Sequence, residues 1–212
     1  MADWKYNKDL LEVSVAHHHG DERHTYHLDL GGLYQMKNLL PVLEAVDILE
    51  RKGWIIYEEH LRKSLQNVKK LTGLHGRWQI IHHNPTIVLD VAHNEDGIRQ
   101  LNQQIEITDY HHLRIVIGLV KDKEIQNILA LLPDNAIYYF TKAAIERALP
   151  ESVLAEEAVK QNLTGQAFDN VNTALQAAID AAGPGDLLLV CGSVFVVGEV
   201  EKELLHFKKQ RS

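Results

Sequence analysis

The sequence predicts a doubly wound, mostly parallel six-stranded α/β sheet, preceded by a small unit of one hairpin and two helices. Two observations carry the sheet. Beyond Arg77, strand-length apolar runs alternate with helical patterns, the grammar of a parallel sheet with crossover helices. Runs such as Leu113-Arg-Ile-Val-Ile-Gly118 and Leu187-Leu-Leu-Val190 are nearly continuous in apolar residues, which suits strands covered on both faces. The third observation concerns the first 75 residues, where the pattern is instead two alternating strands followed by two amphipathic helices.

In chain order, Leu11-Glu-Val-Ser-Val15 and Thr25-Tyr-His-Leu-Asp-Leu30 alternate apolar and polar residues around Gly20-Asp21-Glu22, so they read as a hairpin. A helix is expected over 35–52, with Leu39, Leu40, Leu43, Val46 and Leu49 at helical spacing and Gly53 as its terminator. A second helix is expected over 57–71, with Leu61, Leu65 and Val68 on one stripe, and Gly73 to Gly76 as a linker. Domain boundaries are therefore set at 1–75 and 76–212. Strands follow near 78–82, 86–90, 113–118, 136–140, 166–168 and 186–191. Helices follow near 94–105, 122–132, 151–162, 170–182 and 195–209.

Composition excludes several classes. The net charge of -7 and the lack of a basic run argue against a nucleic-acid partner. No apolar run approaches the roughly 20 residues that span a bilayer, so no membrane role is expected. Met1-Ala-Asp-Trp-Lys-Tyr lacks the apolar core of a signal peptide. A single cysteine, Cys191, fits a reducing cytoplasm. Thirteen histidines, including His17-His18-His19, His82-His83 and His111-His112, show no metal-site spacing, so no metal ligand is assigned.

The chemistry gathers at strand ends. The run Thr86-Ile-Val-Leu89 stops at Asp90, His93 and Asn94, and a helical pattern opens with Glu95 and Asp96, acids that suit the positive end of a helix. Lys121-Asp122-Lys123, Thr141-Lys142 and Gly192-Ser193 follow three other expected strands. Parallel strands would bring all four clusters to one edge, where open α/β sheets bind ligands. Acid, imidazole, amide, hydroxyl and ammonium together suit a polar, anionic small molecule. There is no G-x-x-x-x-G-K-[ST] and no strand-following G-x-G-x-x-G, so the usual phosphate cradles are lacking.

These residues resemble a known family. Asp90-Val-Ala-His-Asn94 is similar to the D-x-A-H-N signature of the Mur ligase superfamily's C-terminal domain, and most closely to folylpolyglutamate synthase/dihydrofolate synthase. Gly76-Arg77, thirteen residues before Asp90, matches the family's G-R…D-x-A-H-N arrangement. Gly118-Leu-Val-Lys-Asp-Lys123 resembles its G-x-x-x-D-K-D segment, with Glu124 in place of the final Asp. Glu146-Arg147-Ala-Leu-Pro150 resembles R-A-L/M-P. Val190-Cys-Gly-Ser-Val-Phe-Val-Val-Gly198 resembles V-x-G-S-L/F-Y-x-V/A-G. Gly32-Leu-Tyr-Gln-Met-Lys-Asn38 resembles G-x-H/Y-Q-x-x-N, with Tyr34 where the family often has His.

The resemblance implies a C-terminal part: a remnant of the central ATPase domain, then the whole glutamate ligase domain. An N-terminal ATPase domain with its P-loop would be missing. ATP and Mg²⁺ would phosphorylate the carboxylate of dihydropteroate or folate, and L-glutamate would attack the acyl phosphate. Asn38, Arg77, Asp90 and Asn94 would serve ATP or its loop. His93 and Ser193 would be the catalytic residues that place the incoming glutamate. Mg²⁺ ligands are expected mainly in the missing domain, and the isolated chain is expected to be inactive. Leu39, Leu43 and Val46 are expected to expose an apolar patch. Two other readings stand beside this one: a stand-alone α/β module binding a small anion or nucleotide, and another Mur-type ligase joining amino acids to a cell-wall precursor.

Overall fold

The computed structural model describes residues 3–7, 10–16, 23–121 and 124–201. Two compact units divide between Gln79 and Ile80.

The first unit holds a three-stranded antiparallel sheet in the order β1-β2-β3, formed by β1 (Asp3–Asn7), β2 (Leu10–Ala16) and β3 (Arg23–Leu28). The expected hairpin is its β2–β3 part, and its turn lies outside the described residues. Strand β1 escaped the sequence reading because Asp-Trp-Lys-Tyr-Asn carries no aliphatic residue and all five positions are exposed. Leu11 and Val13 of β2, Tyr26 and Leu28 of β3, Leu39 of α1 (Gln35–Arg51) and Leu65 of α2 (Glu58–Leu65) form a small core.

Two expectations need correction here. Leu39 is buried, Leu43 packs against the same core and Val46 is half-buried; the large exposed apolar residues of α1 are Leu40, Val42, Ile48 and Leu49. The sheet covers the helix face that the sequence left without a partner. The second expected helix is two: α2 ends at Leu65 and α3 runs over Val68–Thr72. Asn67 leaves helical geometry between them, and the Lys69 N–H donates 2.9 Å to Asp29 Oδ2. A carboxylate at a fresh helix start favours the break.

The second unit is a six-stranded sheet in the order β4-β5-β9-β6-β7-β8. Its strands are β4 (Gln79–His83), β5 (Thr86–Leu89), β6 (Leu113–Ile117), β7 (Ile137–Phe140), β8 (Gly165–Ala167) and β9 (Leu187–Cys191). The pairs β5–β9, β9–β6, β6–β7 and β7–β8 are parallel. Only two residues connect β4 to β5, too few for a parallel crossover, so that edge is a hairpin.

Helices α4 (Glu95–Glu106), α5 (Ile125–Ala130), α6 (Glu151–Val159), α7 (Val171–Ala181) and α8 (Val194–Gly198) complete the unit. Every residue of β9 is buried, as its unbroken apolar run requires of a central strand. Full burial of each of its leucines stabilises the fold by about 1.5–3 kcal/mol. Helix α7 presents Val171, Ala174, Leu175, Ala178 and Ile179 to Leu188 and Val190; that i, i+3, i+4, i+7, i+8 stripe is what a sheet-covering helix needs. The last expected helix is described only as α8 and its neighbours to Glu201; its remainder lies outside the described residues. No helix among the described residues is long and apolar enough to cross a membrane.

At the amino ends of the strands Asp186 is buried. Its Oδ2 takes the Arg114 Nε at 3.1 Å and the Gly183 N–H at 3.0 Å, and its Oδ1 meets His112 Nδ1 at 3.0 Å. Burial alone would push this carboxyl up, but Gly183, His112 and Arg114 outweigh it and hold it below the ordinary value. A depressed carboxyl adds stability above the ordinary carboxylate range, and that stability is lost as pH falls through the lowered value. Asp186→Asn is therefore expected to cost roughly 2 kcal/mol near neutral pH, because it leaves Arg114 unpaired, and to flatten the acid limb. Urea denaturation across pH checks both.

Candidate functional site

The parallel register brings four strand ends level. Leu89 stands opposite Val190, Ile117 opposite Cys191, and Ile117 opposite Phe140. The next residues, Asp90, Gly118, Thr141 and the Gly192-Ser193 pair, therefore share the carboxyl edge of the sheet. Thr141 is fully buried and continues the ladder, its N–H donating 2.8 Å to Ile117 O. Lys142 turns aside to an ion pair with Glu151 at 2.7 Å, and that contact draws the Glu151 carboxyl down. Lys121 Nζ donates 3.0 Å to the Glu146 carbonyl; Asp122 and Lys123 lie outside the described residues.

The β5–α4 loop is built by its own polar groups. The buried Asp90 continues the sheet through its N–H to Val190 O at 3.0 Å, and its Oδ1 accepts the Ala92 N–H at 2.9 Å. His93 sets Nδ1 2.9 Å from Val91 O. A carbonyl only accepts, so Nδ1 is a nitrogen that carries hydrogen, and Nε2 can accept whenever the ring is neutral. His93 is exposed. Asn94 caps α4, its Oδ1 accepting from Gly97 N–H at 2.8 Å, a use for that oxygen which is local to the chain.

The β9–α8 turn meets this loop directly. The Gly192 N–H donates 2.9 Å to Ala92 O, so the residues before His93 and before Ser193 are bonded to each other. Ser193 is 5% exposed and its Oγ accepts from the Phe195 N–H at 3.1 Å, which leaves the hydroxyl hydrogen for a ligand. Gly192 has φ +101, and a Cβ there would stand 2.5 Å from Gly118 O. Only glycine combines that conformation with that contact. Burial, and next the Asp90 charge, push the Cys191 thiol up, so it stays a neutral part of the core.

The remaining expected site residues belong to the other unit. Asn38 is exposed in the first turns of α1 and donates 2.9 Å to Gln35 Oε1. Arg77 is half-buried, with Nη1 3.3 Å from Gly76 O. Next to it the buried Trp78 holds φ +43, a region that bulky residues rarely occupy. No sequence pattern marks that conformation, although Gly76 (φ +72) two residues earlier hints at an irregular backbone. A cavity of about 690 Å³ in this unit is lined by Tyr26, Leu40, Leu43, Val46 and Glu58 among others. It includes none of the expected site residues.

Residues 76–194 match the family model for the Mur ligase glutamate ligase domain. The chain belongs to the Mur ligase family. Within that family the relatives are folate enzymes. A probable bifunctional folylpolyglutamate synthase/dihydropteroate synthase of Haloferax volcanii is 32% identical over 81% of this chain and 20% of its own length. The dihydrofolate synthase/folylpolyglutamate synthase of Escherichia coli K12 is 33% identical over 74% of this chain and 36% of its own. Among solved structures, E. coli FolC in complex with DHPP and ADP matches with TM-score 0.68 and 26% identity, over 92% of this chain and 44% of that one. A bifunctional folylpolyglutamate synthase/dihydrofolate synthase with Mn, AMPPNP and L-glutamate bound matches with TM-score 0.70 and 26% identity, over 96% and 46%. The chain thus spans less than half the length of each of these relatives and corresponds to a C-terminal portion of the family's enzymes.

The geometry of this Mur ligase edge makes two substitutions informative. Gly192→Ala is expected to destabilise the chain by about 2 kcal/mol or more through backbone strain and the carbonyl contact. Asn94→Ala, which removes a helix cap, is expected to cost about 1 kcal/mol. Chemical denaturation measures both, and an unaltered midpoint for Gly192→Ala would contradict the close approach.

Proposed function

We propose that this chain is the C-terminal part of an ATP-dependent acid–amino-acid ligase that adds L-glutamate to dihydropteroate or folate. Residues 1–75 are read as the end of a central ATPase domain and residues 76–212 as the glutamate ligase domain. The observation that carries the proposal is the Gly192–Ala92 hydrogen bond, which holds His93 and Ser193 on two adjoining loops at the carboxyl edge of a parallel sheet. The folate enzymes among its relatives, one of them solved with L-glutamate bound, support the same reading.

In this mechanism a carboxylate oxygen of the pterin substrate takes the terminal phosphoryl group of ATP, giving an acyl phosphate and ADP. The glutamate amine then attacks the acyl carbon and phosphate leaves, forming the amide. The edge described above serves the second half. In its neutral form the amine must donate a hydrogen bond while keeping its lone pair for the carbonyl. His93 Nε2 can accept that hydrogen bond, and the Ser193 hydroxyl can donate to a glutamate oxygen. Both are preset by backbone contacts, so they lose little freedom on binding. Asp90, Asn94, Asn38 and Arg77 are assigned to nucleotide binding; Arg77 would offset phosphate charge.

Among the described residues no three of His, Cys, Asp and Glu gather as a metal site. The ligands of Mg²⁺ are assigned mainly to the family's N-terminal ATPase domain. The sequence carries no Walker A loop, so the 212-residue chain is expected to be inactive alone. A cytoplasmic location belongs to the same proposal, consistent with the single free cysteine, Cys191.

Calorimetric titration of L-glutamate and of Mg-ATP into the chain tests the proposal. Glutamate is expected to bind, and His93→Ala is expected to weaken it about tenfold, the loss of one well-placed hydrogen bond to a charged group. Equal affinity of wild type and His93→Ala would remove His93 from the site. Binding of Mg-ATP without any glutamate binding would favour a nucleotide module instead.

A further inference from the structure

Helix α8 is the element that begins at the candidate serine, and it spans only Val194–Gly198. Five residues make little more than one turn, and a helix that short does not stand by its own hydrogen bonds in water. Burial of Val196 and Val197 fixes which face points inward. It does not fix how closely the helix is drawn to its neighbours. Two side chains do that at the far end.

The first is Asn172, the second residue of α7. Its Nδ2 donates 3.0 Å to Glu199 O, and its Oδ1 accepts the Glu201 N–H at 3.1 Å. One amide thus grips the backbone on both sides of Val200, using a donor and an acceptor at once. The second is Glu199 itself, which is half-buried. Its Oε1 accepts the Ala144 N–H at 2.6 Å, across 55 residues of sequence. Charge on the acceptor makes such a bond short and strong. The end of α8 is therefore pinned to α7 on one side and to the residues just past β7 on the other.

The pinning reaches the serine through the helix. The Glu199 N–H donates 3.1 Å to Phe195 O, and the Phe195 N–H donates 3.1 Å to Ser193 Oγ. The Val197 N–H donates 3.1 Å to Ser193 O as well. An unbroken run of hydrogen bonds thus leads from Asn172 through Glu199 and Phe195 to the Ser193 hydroxyl.

We propose that Asn172 and Glu199 are positioning residues that act through Ser193. By fixing where the short helix lies, they set the direction in which the serine hydroxyl presents its hydrogen to a ligand. This rests on the reading of the carboxyl edge as the L-glutamate site, and the test separates the two.

The experiment combines heteronuclear NMR of the full 212-residue chain with calorimetric titration of L-glutamate. It compares wild type with Glu199→Ala, Glu199→Gln, Asn172→Ala, Ser193→Ala and the double variant Ser193→Ala/Glu199→Ala, with thermal unfolding to confirm that each folds. Glu199→Ala is expected to move the amide signals of Ala144 and Phe195 together. It is also expected to weaken glutamate binding about fivefold, the low end of coupling between separate groups. Asn172→Ala should do the same to Phe195 and to affinity, and it carries the comparison should Glu199→Ala fail to fold. Glu199→Gln keeps an oxygen for the Ala144 N–H and should recover most of the affinity. On the Ser193→Ala background, Glu199→Ala should cost nothing further, because residues that act through one another are not additive. Additive losses, or an unmoved Phe195 signal in Glu199→Ala, would overturn the route through Ser193. Equal affinity of wild type and Glu199→Ala, with binding weakened in Ser193→Ala, would overturn the positioning role and leave the amino-acid site standing. No glutamate binding by wild type would overturn both.

Discussion

The close approach of β6 and β9 at their carboxyl ends is the constraint on which the rest of that edge of the sheet depends. Gly192 turns there with φ +101, at a distance from Gly118 O that no side chain would tolerate. Gly118 is equally confined, since a Cβ on it would meet Thr141 O at 2.7 Å. These two glycines let three strand ends close on one another. The turn after β9 then reaches across to the loop after β5, and the Gly192–Ala92 hydrogen bond joins them. His93 and Ser193 owe their nearness to that backbone contact rather than to any interaction between their side chains.

Rigidity at this edge is inherited from the sheet below. The central strands β9 and β6 are covered on both faces, and the α7 stripe packs against one of them. Loops anchored on such strands hold their geometry because moving them would disturb a close-packed core. The amino ends of the same strands are fixed separately, by the Asp186 network with Arg114 and His112. Polar groups at one end thus serve stability, while those at the other retain unsatisfied capacity: a hydroxyl hydrogen on Ser193 and a ring nitrogen on His93.

Much of this was legible in the sequence, for identifiable reasons. Short unbroken apolar runs such as Leu187-Leu-Leu-Val190, set between helical patterns, suit central strands, and the 3.6-residue stripe of α7 suits a covering helix, so the fold class and the placing of Asp90 and Ser193 just past strand ends followed. What failed to show was governed by contacts remote in sequence. Strand β1 has only Trp4 and Tyr6 as apolar residues, both exposed, and exists by pairing with β2. The break between α2 and α3 depends on Asp29, forty residues before Lys69. The burial of Leu39 depends on a sheet whose strands lie before it in the chain. Arg147 was visible as part of a motif, but its stacking on Phe195, 48 residues later in the sequence, was not.

The proposed L-glutamate site lies on the carboxyl edge of the second unit. A crystal structure of the 212-residue chain grown with L-glutamate tests it most directly. Density for the amino acid is expected at the β5 and β9 ends, with its amine toward His93 Nε2 and an oxygen on Ser193. Glutamate bound instead in the apolar cavity of the first unit, or at the Asp186 end of the sheet, would contradict it.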